Sequence, residues 1–116
     1  MSVAYWIVAG IPAALYFGLG SMKLISSRAK MLENPQAAWA SDFTEPQIKL
    51  IGLAEVAGAA GLILPPALGV ATWLHVPAAI GLILLMIGAI STHRRRKESF
   101  IFPLIPALLV IISLFL

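Results

Sequence analysis

The sequence predicts an all-α membrane protein, an antiparallel bundle of four transmembrane helices with a short interfacial helix between helices 1 and 2. Of the 116 residues, 60% are hydrophobic and 11% are charged, whereas soluble domains average about 45–50% and about 25%. A soluble domain of this size cannot bury so many apolar side chains. A disordered chain would need low hydrophobicity and many charges. Both classes are therefore excluded, and four spans of roughly 20 residues fit the length.

Boundary signals predict where the spans begin and end. The first span contains no charged side chain, and the residues before it lack the basic region of a signal peptide. The second follows a capping-box pattern, Thr44 with Gln47. It is predicted to end at Pro65 and Pro66, because proline cannot donate a backbone hydrogen bond. The spans are predicted at about residues 4–22, 48–64, 68–91 and 100–116 of a single domain, 1–116.

The basic residues predict the orientation of the bundle. All of them lie in the two segments that follow the first and third spans, and short connections make neighbouring helices antiparallel, so both segments share one side. The positive-inside rule places that side in the cytoplasm and both termini outside, with Tyr5 and Trp6 at the outer interface. A basic run between spans gives no reason to expect a nucleic-acid partner. The expected partner is the lipid bilayer. The basic residues are Lys23, Arg28, Lys30, Lys49, Arg94, Arg95, Arg96 and Lys97.

The long connection between the first two spans, about 25–47, is predicted to contain the interfacial helix. Asn34 and Pro35 are typical of an N-cap and a first helical residue. Trp39 and Phe43 are four residues apart, so they share one face of a helix there. That face is expected on lipid or on the mouth of the bundle. The alternative is an ordinary loop.

Small residues are expected at the helix contacts, because close backbone approach supplies much of the attraction between helices in lipid. The second span is rich in them, which predicts a central position in the bundle. Its small residues are Gly52, Ala54, Ala57, Gly58, Ala59, Ala60 and Gly61, and the other candidates are Gly18, Gly20, Gly81 and Gly88.

Glu55 is the most informative residue of the sequence. It lies about seven residues into the second span, which at 1.5 Å per residue is roughly 10 Å below the interface. A charged side chain at that depth costs at least roughly 2.5 kcal/mol. Glu55 must therefore face the bundle, pair with a cation or stay protonated.

Three other side chains are predicted to share a polar pocket with Glu55 in the inner half of the bundle. Tyr16 and Lys23 are seven apart on one face of the first span, and His93 ends the third span on the same side. Intramembrane ionisable groups usually mark function. The alternative is that Lys23 and Glu55 form an internal ion pair that only fixes helix packing.

His75 is the other ionisable group expected within a span. It precedes Pro77, which frees the carbonyl of Trp73, so a hydrogen bond to a free backbone group is the simpler hypothesis. The alternative is a proton relay with Glu55. Two histidines without cysteine do not predict a metal site, and no cofactor is expected. The absence of cysteine excludes a thiolate nucleophile.

Three segments resemble the DoxX-like family of small bacterial membrane proteins: FGLGSMKLI (17–25), GLAEVAGAAGLILP (52–65) and GAISTHRRRKE (88–98). The resemblance implies a four-helix protein of the bacterial inner membrane. Some relatives in that family are subunits of thiosulfate:quinone oxidoreductases and others are linked to membrane redox complexes. Carried over by position, Lys23, Glu55 and His93 would be the functional polar residues.

Two main functions follow from these residues taken with the resemblance, which is what implies a quinone-like ligand or a redox partner. In the first, the pocket binds a lipophilic small molecule, quinone-like or otherwise hydrophobic, for acid–base or redox-linked chemistry. Glu55, His93 and Tyr16 would be catalytic, and Lys23, Trp39 and His75 would bind the substrate. In the second, the protein is a non-catalytic subunit that docks a redox partner protein through its basic loops. A membrane cyclase or isomerase and a small proton-coupled exporter are further alternatives, and the residues leave open whether the protein is an enzyme.

Overall fold

The computed structural model describes residues 2–99 and 101–116, and within these ranges the chain forms helices and turns without strands. The α-helices are α1 (Val3–Ile25), α2 (Arg28–Leu32), α3 (Glu45–Leu68), α4 (His75–Arg95) and α5 (Ile101–Ser113). Two 3₁₀ helices, Pro35–Asp42 and Thr72–Leu74, precede α3 and α4.

The four longer helices form an up-and-down ring. Helices α1 and α4 each pack against both α3 and α5. The stretches Val3–Ile25, Glu45–Leu68 and Thr72–Arg95 are long and apolar enough to cross a membrane, and Ile101–Ser113 is a shorter apolar helix. The long dimension of 41 Å is close to the thickness of a bilayer with its headgroups, about 40–45 Å. The predicted all-α membrane bundle is confirmed.

Each helix of the ring presents large apolar side chains outward. Ile7, Leu53, Leu84 and Ile105, one from each helix, are between 55% and 63% exposed. Soluble monomeric proteins rarely expose apolar side chains over so large a surface. The outside of the bundle therefore contacts the lipid bilayer.

Helix α3 continues past the residues at which the sequence predicts its end. Pro65 and Pro66 lie inside its last turns, and the helix ends at Leu68 with Gly69 in the left-handed region (φ 66°). A proline removes a bond to the residue four positions earlier but leaves the later turns free to form. The predicted start at the capping box is correct, since Thr44 accepts from the amide of Gln47 and Gln47 accepts from that of Thr44.

The later boundaries also differ from the predicted ones. The third span begins with the 3₁₀ turn at Thr72 rather than near residue 68, because the Gly69 cap and a left-handed Ala71 separate it from α3. Phe100, the predicted start of the fourth span, lies outside the described residues. After α5, the amides of Leu114, Phe115 and Leu116 bond to carbonyls three residues earlier, so a helical turn continues to the end of the chain.

The long connection between α1 and α3 contains two short helices where the sequence predicts one. Helix α2 is capped by Ser27, whose hydroxyl accepts from the amide of Lys30 at 3.1 Å. The 3₁₀ helix Pro35–Asp42, called the strap below, is kinked at Ala37, whose φ and ψ are not helical. This connection and the α4–α5 turn lie at the same end of the ring, which carries the basic side chains and is called the basic end below.

Close helix contacts occur at only some of the glycines that the sequence marks. A Cβ on Gly58 would lie 2.6 Å from the side chain of Leu82, and one on Gly61 would lie 2.6 Å from Ala78, so both glycines face α4. By contrast, a Cβ on Gly18, Gly81 or Gly88 would meet nothing within 4 Å. The prediction that these three glycines mediate contacts is wrong for the bundle itself. Helix α3 nevertheless has the most extensive contacts of the four helices, chiefly with α1 and α4, as its small residues predict.

Candidate functional site

A buried ion pair joins α1 to α3. The ammonium nitrogen of Lys23 lies 2.6 Å from Oε1 of Glu55, and the two side chains are 12% and 2% exposed. Lys23 is in the last turn of α1, and Glu55 shares the buried face of α3 with Gly52 and Ala59. The carboxylate thus faces the bundle and pairs with a cation, as its depth in the span requires.

Two glycines allow this pair to form. A Cβ on Gly20 would lie 2.7 Å from the carbonyl oxygen of Gly52 and 3.0 Å from Cβ of Glu55. A Cβ on Gly52 would lie 2.8 Å from both the carbonyl oxygen of Gly20 and Cβ of Lys23. The backbones of α1 and α3 therefore touch at this level, which brings the two charged side chains together.

The strap contributes an aromatic ring to the site. Lys23 Nζ lies 5.3 Å from the centroid of the Trp39 ring, within the range of a cation–π interaction. The Trp39 ring in turn contacts Phe43 edge to face, with 5.9 Å between centroids. The two rings predicted to share a helix face therefore do contact each other, although Phe43 lies just after the end of the strap. The ammonium group contacts both the carboxylate and the indole.

Tyr16 lies in the interior of the ring near Glu55. The residue is 1% exposed and belongs to a core cluster with Ala13, Ala59 and Leu82. Ala59 of that cluster is one helical turn from Glu55 on α3, which places Tyr16 about one turn from the carboxylate. The Tyr16 hydroxyl has no hydrogen-bond partner within residues 2–99 and 101–116. A buried donor without a partner is uncommon and requires an explanation.

His93 is placed away from these groups. Its Nδ1 lies 3.1 Å from Oε1 of Glu98, in the turn that follows α4. The neighbouring Thr92 hydroxyl donates to the carbonyl of Gly88 at 2.9 Å. The structure therefore assigns the ring of His93 a partner at the end of its own helix, and not in the group formed by Lys23, Glu55 and Trp39.

His75 lies at the other end of α4. Its ring packs edge to face on Tyr5, with 5.5 Å between centroids. Nδ1 is buried and has no hydrogen-bond partner in the described part of the chain, so this nitrogen does not form the predicted bond to a free backbone group. Tyr5 bonds at the level of Leu62, seven residues or about 10 Å along α3 from Glu55. No direct contact joins His75 to the carboxylate.

The contacts of two residues, Lys49 and Tyr5, were not predicted from the sequence. Lys49 donates from Nζ to the carbonyls of Lys23, Leu24 and Ser26 at 2.9, 2.9 and 2.6 Å, so it caps the C-terminus of α1. Tyr5 is 0% exposed rather than interfacial, because its hydroxyl bonds to a carbonyl inside the bundle. The sequence signal for the Tyr5 hydrogen bond was Pro66. Proline has no amide hydrogen to donate to the carbonyl of Leu62, four residues earlier, so that carbonyl needs another donor.

An apolar groove follows the contact between α1 and α3. It has a volume of about 450 Å³, and its floor includes the buried Ala13 and Ala59. Ala59 is one helical turn from Glu55, so the groove ends close to the ion pair. Its walls are formed by Gly10, Ala14, Phe17, Ala60, Ile63 and Leu64.

Comparison with known proteins adds one finding. A family model described as the DoxX-like family matches residues 7–116, a range that includes the ion pair, the strap and both basic segments. No curated protein and no solved structure matches the chain.

Proposed function

Since the chain belongs to the DoxX-like family, we propose that it binds a lipophilic small molecule next to Glu55. The molecule is quinone-like or similarly hydrophobic. Glu55 donates a proton to an oxygen of that molecule or accepts one from it. The observation that carries the proposal is the buried Lys23–Glu55 pair together with the unpartnered hydroxyl of Tyr16.

The burial of the ion pair supports a functional role over a purely structural one. Removing two charges from water costs several kcal/mol per ion, which their mutual attraction repays only with good geometry. Apolar residues of similar size would hold α1 and α3 together at least as well. The glycine contact at Gly20 and Gly52 already brings the helices together without any charge.

The chemical roles follow from the contacts. Glu55 is the proton donor or acceptor, because it is the only buried carboxylate among the described residues. Lys23 compensates the negative charge of Glu55 when the proton is on the ligand. The Tyr16 hydroxyl has no partner within the described chain and is free to donate to a ligand oxygen. The apolar groove between α1 and α3 supplies a route for the hydrophobic part of the ligand from the bilayer.

Orientation and location belong to the same proposal. The basic side chains of the described residues lie at one end of the bundle, and the turn between α3 and α4 at the other end carries none. The positive-inside rule then places the basic end in the cytoplasm of a bacterial inner membrane. Proton exchange at Glu55 would occur in the half of the bundle that is nearer the cytoplasm.

Binding of a short-chain benzoquinone to the purified protein tests the proposal. We expect Glu55→Gln to weaken binding by about tenfold or more while the bundle stays folded. Glu33→Gln is the matched control, because Glu33 is exposed at the same end of the molecule, and it should bind like the wild type. Equal affinity of the wild type and Glu55→Gln, or no quinone binding by the wild type, would contradict the proposal for this ligand class.

A non-catalytic subunit of a redox complex is the second candidate function. Arg94 and Lys97 are exposed at the basic end, and the side chain of Arg95 is 68% exposed, which suits an acidic partner protein. If this function is correct, replacing Arg94 and Lys97 by alanine releases a co-purifying protein, whereas Lys30→Ala on α2 does not. Purification of the wild type without any partner from its native membrane would argue against it.

A further inference from the structure

The strap is attached to two different helices of the ring. Trp39 contacts Lys23 on α1, and Asp42 contacts the arginines at the end of α4. Ala40, between them, is 0% exposed, so the strap is packed onto the bundle rather than extended into solvent. The strap therefore lies over the part of the basic end where the Lys23–Glu55 pair is buried.

One ion pair dominates the attachment to α4. Nη1 of Arg96 donates to Oδ1 of Asp42 at 2.9 Å and to the hydroxyl oxygen of Ser41 at 3.2 Å. Nη2 of Arg95 lies 3.5 Å from Oδ2 of the same carboxylate. The side chains of Arg96 and Asp42 are each 26% exposed, so water and salt can compete with the pair.

The turn after α4 holds Arg96 in position. Lys97 is in the left-handed region (φ 58°), and its amide bonds to the carbonyl of Arg94 while the amide of Glu98 bonds to that of His93. This is a Schellman motif. It returns the Glu98 carboxylate to within 3.3 Å of Arg96 Nε and 3.1 Å of His93 Nδ1. His93 thus belongs to the support of Arg96.

Helix α2 holds the same end of the strap, on either side of Asp42. Nε of Arg28 donates to the carbonyl of Phe43 at 2.7 Å, and Nη2 donates to that of Ser41 at 3.1 Å. These bonds hold the backbone next to the start of α3, so the strap would turn about residues 41–43 when the Asp42 side chain is released. The Asp42–Arg96 contact joins segments that are 54 residues apart in the chain. It ties the strap to α4, whereas Arg28 ties it to α2.

We propose that the strap is a gate over Glu55 and that the Asp42–Arg96 pair is its latch. With the latch closed, Trp39 and Ala40 separate the Lys23–Glu55 pair from the aqueous phase. When it opens, water and protons reach Glu55 from the basic end. The inference rests on the proposed function for its purpose, since Glu55 is the group that would exchange protons, but the opening itself is measurable without any ligand.

Cysteine labelling tests the gate directly, because the chain contains no cysteine of its own. In the purified protein in nanodiscs, Ala40→Cys should react slowly with a charged, water-soluble maleimide. Adding Asp42→Asn or Arg96→Gln should increase the labelling rate by about tenfold or more. Exchanging the charges, Asp42→Arg with Arg96→Asp, should restore slow labelling.

Two controls match this design. Glu33→Cys, at an exposed position of the same end, should label fast whether or not the latch is present. Arg94→Gln removes a neighbouring positive charge that contacts neither Asp42 nor Ser41 among the described residues, and it should leave the rate of Ala40→Cys unchanged. Fast labelling of Ala40→Cys with the latch intact, or no increase on removing the latch, would overturn the gate.

A second measurement covers the case in which the Ala40→Cys variant does not fold. With Trp6 and Trp73 replaced by phenylalanine, iodide quenching of Trp39 fluorescence should increase in Asp42→Asn and stay unchanged in Arg94→Gln. No increase in Asp42→Asn would overturn the gate. If removing the latch exposes the strap but Glu55→Gln leaves quinone binding unchanged, the gate is supported and only the proposed function is rejected.

Discussion

The hydroxyl of Tyr5 donates a 2.8 Å hydrogen bond to the backbone carbonyl of Leu62, across the contact between α1 and α3. This carbonyl would otherwise accept from the amide of residue 66, which is a proline and has none. The Tyr5 hydroxyl on α1 therefore supplies the hydrogen bond that Pro66 removes from α3.

Removing the Tyr5 hydroxyl should destabilise the bundle. We expect Tyr5→Phe to lower the free energy of unfolding by about 1–3 kcal/mol, since a buried carbonyl loses its partner. Adding Pro66→Ala should recover much of the loss, because the new amide can bond to Leu62 within the helix. Chemical unfolding of the detergent-solubilised protein measures both effects, and an unchanged stability in Tyr5→Phe would show that the bond contributes little.

The contact between Gly20 and Gly52 should not tolerate a methyl group. Gly20→Ala places a Cβ 2.7 Å from a backbone oxygen of α3, so the helices must separate, at a cost of about 1–3 kcal/mol. Gly18→Ala is the matched control, because nothing lies within 4 Å of its added Cβ. It should be neutral or slightly stabilising, since alanine favours the helix by up to about 1 kcal/mol over glycine. Thermal unfolding of both variants distinguishes packing from helix propensity.

The ion pair allows stability to be separated from function. Lys23→Met leaves a buried carboxylate without its cation and should cost about 3–5 kcal/mol, whereas Lys23→Met with Glu55→Met should recover or exceed the original stability. The double variant should nevertheless bind no quinone. If it both unfolded like the wild type and kept full binding, the ion pair would have no part in the site.

Two left-handed residues should respond in opposite directions. Lys97 (φ 58°) carries a side chain in a conformation that favours glycine, so Lys97→Gly should be neutral or stabilise the protein by up to about 1 kcal/mol. Gly69→Ala, at φ 66°, should destabilise it by about 1 kcal/mol. Unfolding curves for the two variants test whether the caps of α3 and α4 adopt these conformations.

The orientation of the bundle is open to a direct measurement. In intact cells, a charged maleimide should label Val70→Cys, which is 67% exposed at the end opposite the basic residues, and should not label Glu33→Cys. After the membrane is permeabilised, both should react. The reverse result in intact cells would place the basic end outside.

The sequence determined the class of the protein, its four apolar helices and the positions of Lys23 and Glu55 along them. These properties depend on distance along the membrane normal, which is proportional to position along the chain in a helix. In a bilayer these properties can be predicted from short stretches of sequence. Each apolar stretch must be long enough to span the membrane, and each charge must lie near a helix end or face the interior. The burial of Glu55, its pairing with Lys23 and the capping box at Thr44 followed from such local rules.

Rotation about the helix axes was decided only by the tertiary structure. Helix α3 has apolar residues on all sides, with Leu62 at 0% exposure and Leu50 at 66%, so no amphipathic pattern shows which face is inside. Gly18 and Gly20 look equivalent in sequence, yet only Gly20 contacts α3. The latch between Asp42 and Arg96 and the bond from Tyr5 to Leu62 also join residues more than 50 positions apart. Such contacts depend on how the helices turn toward one another, and in lipid that choice is made by close packing rather than by hydrophobicity.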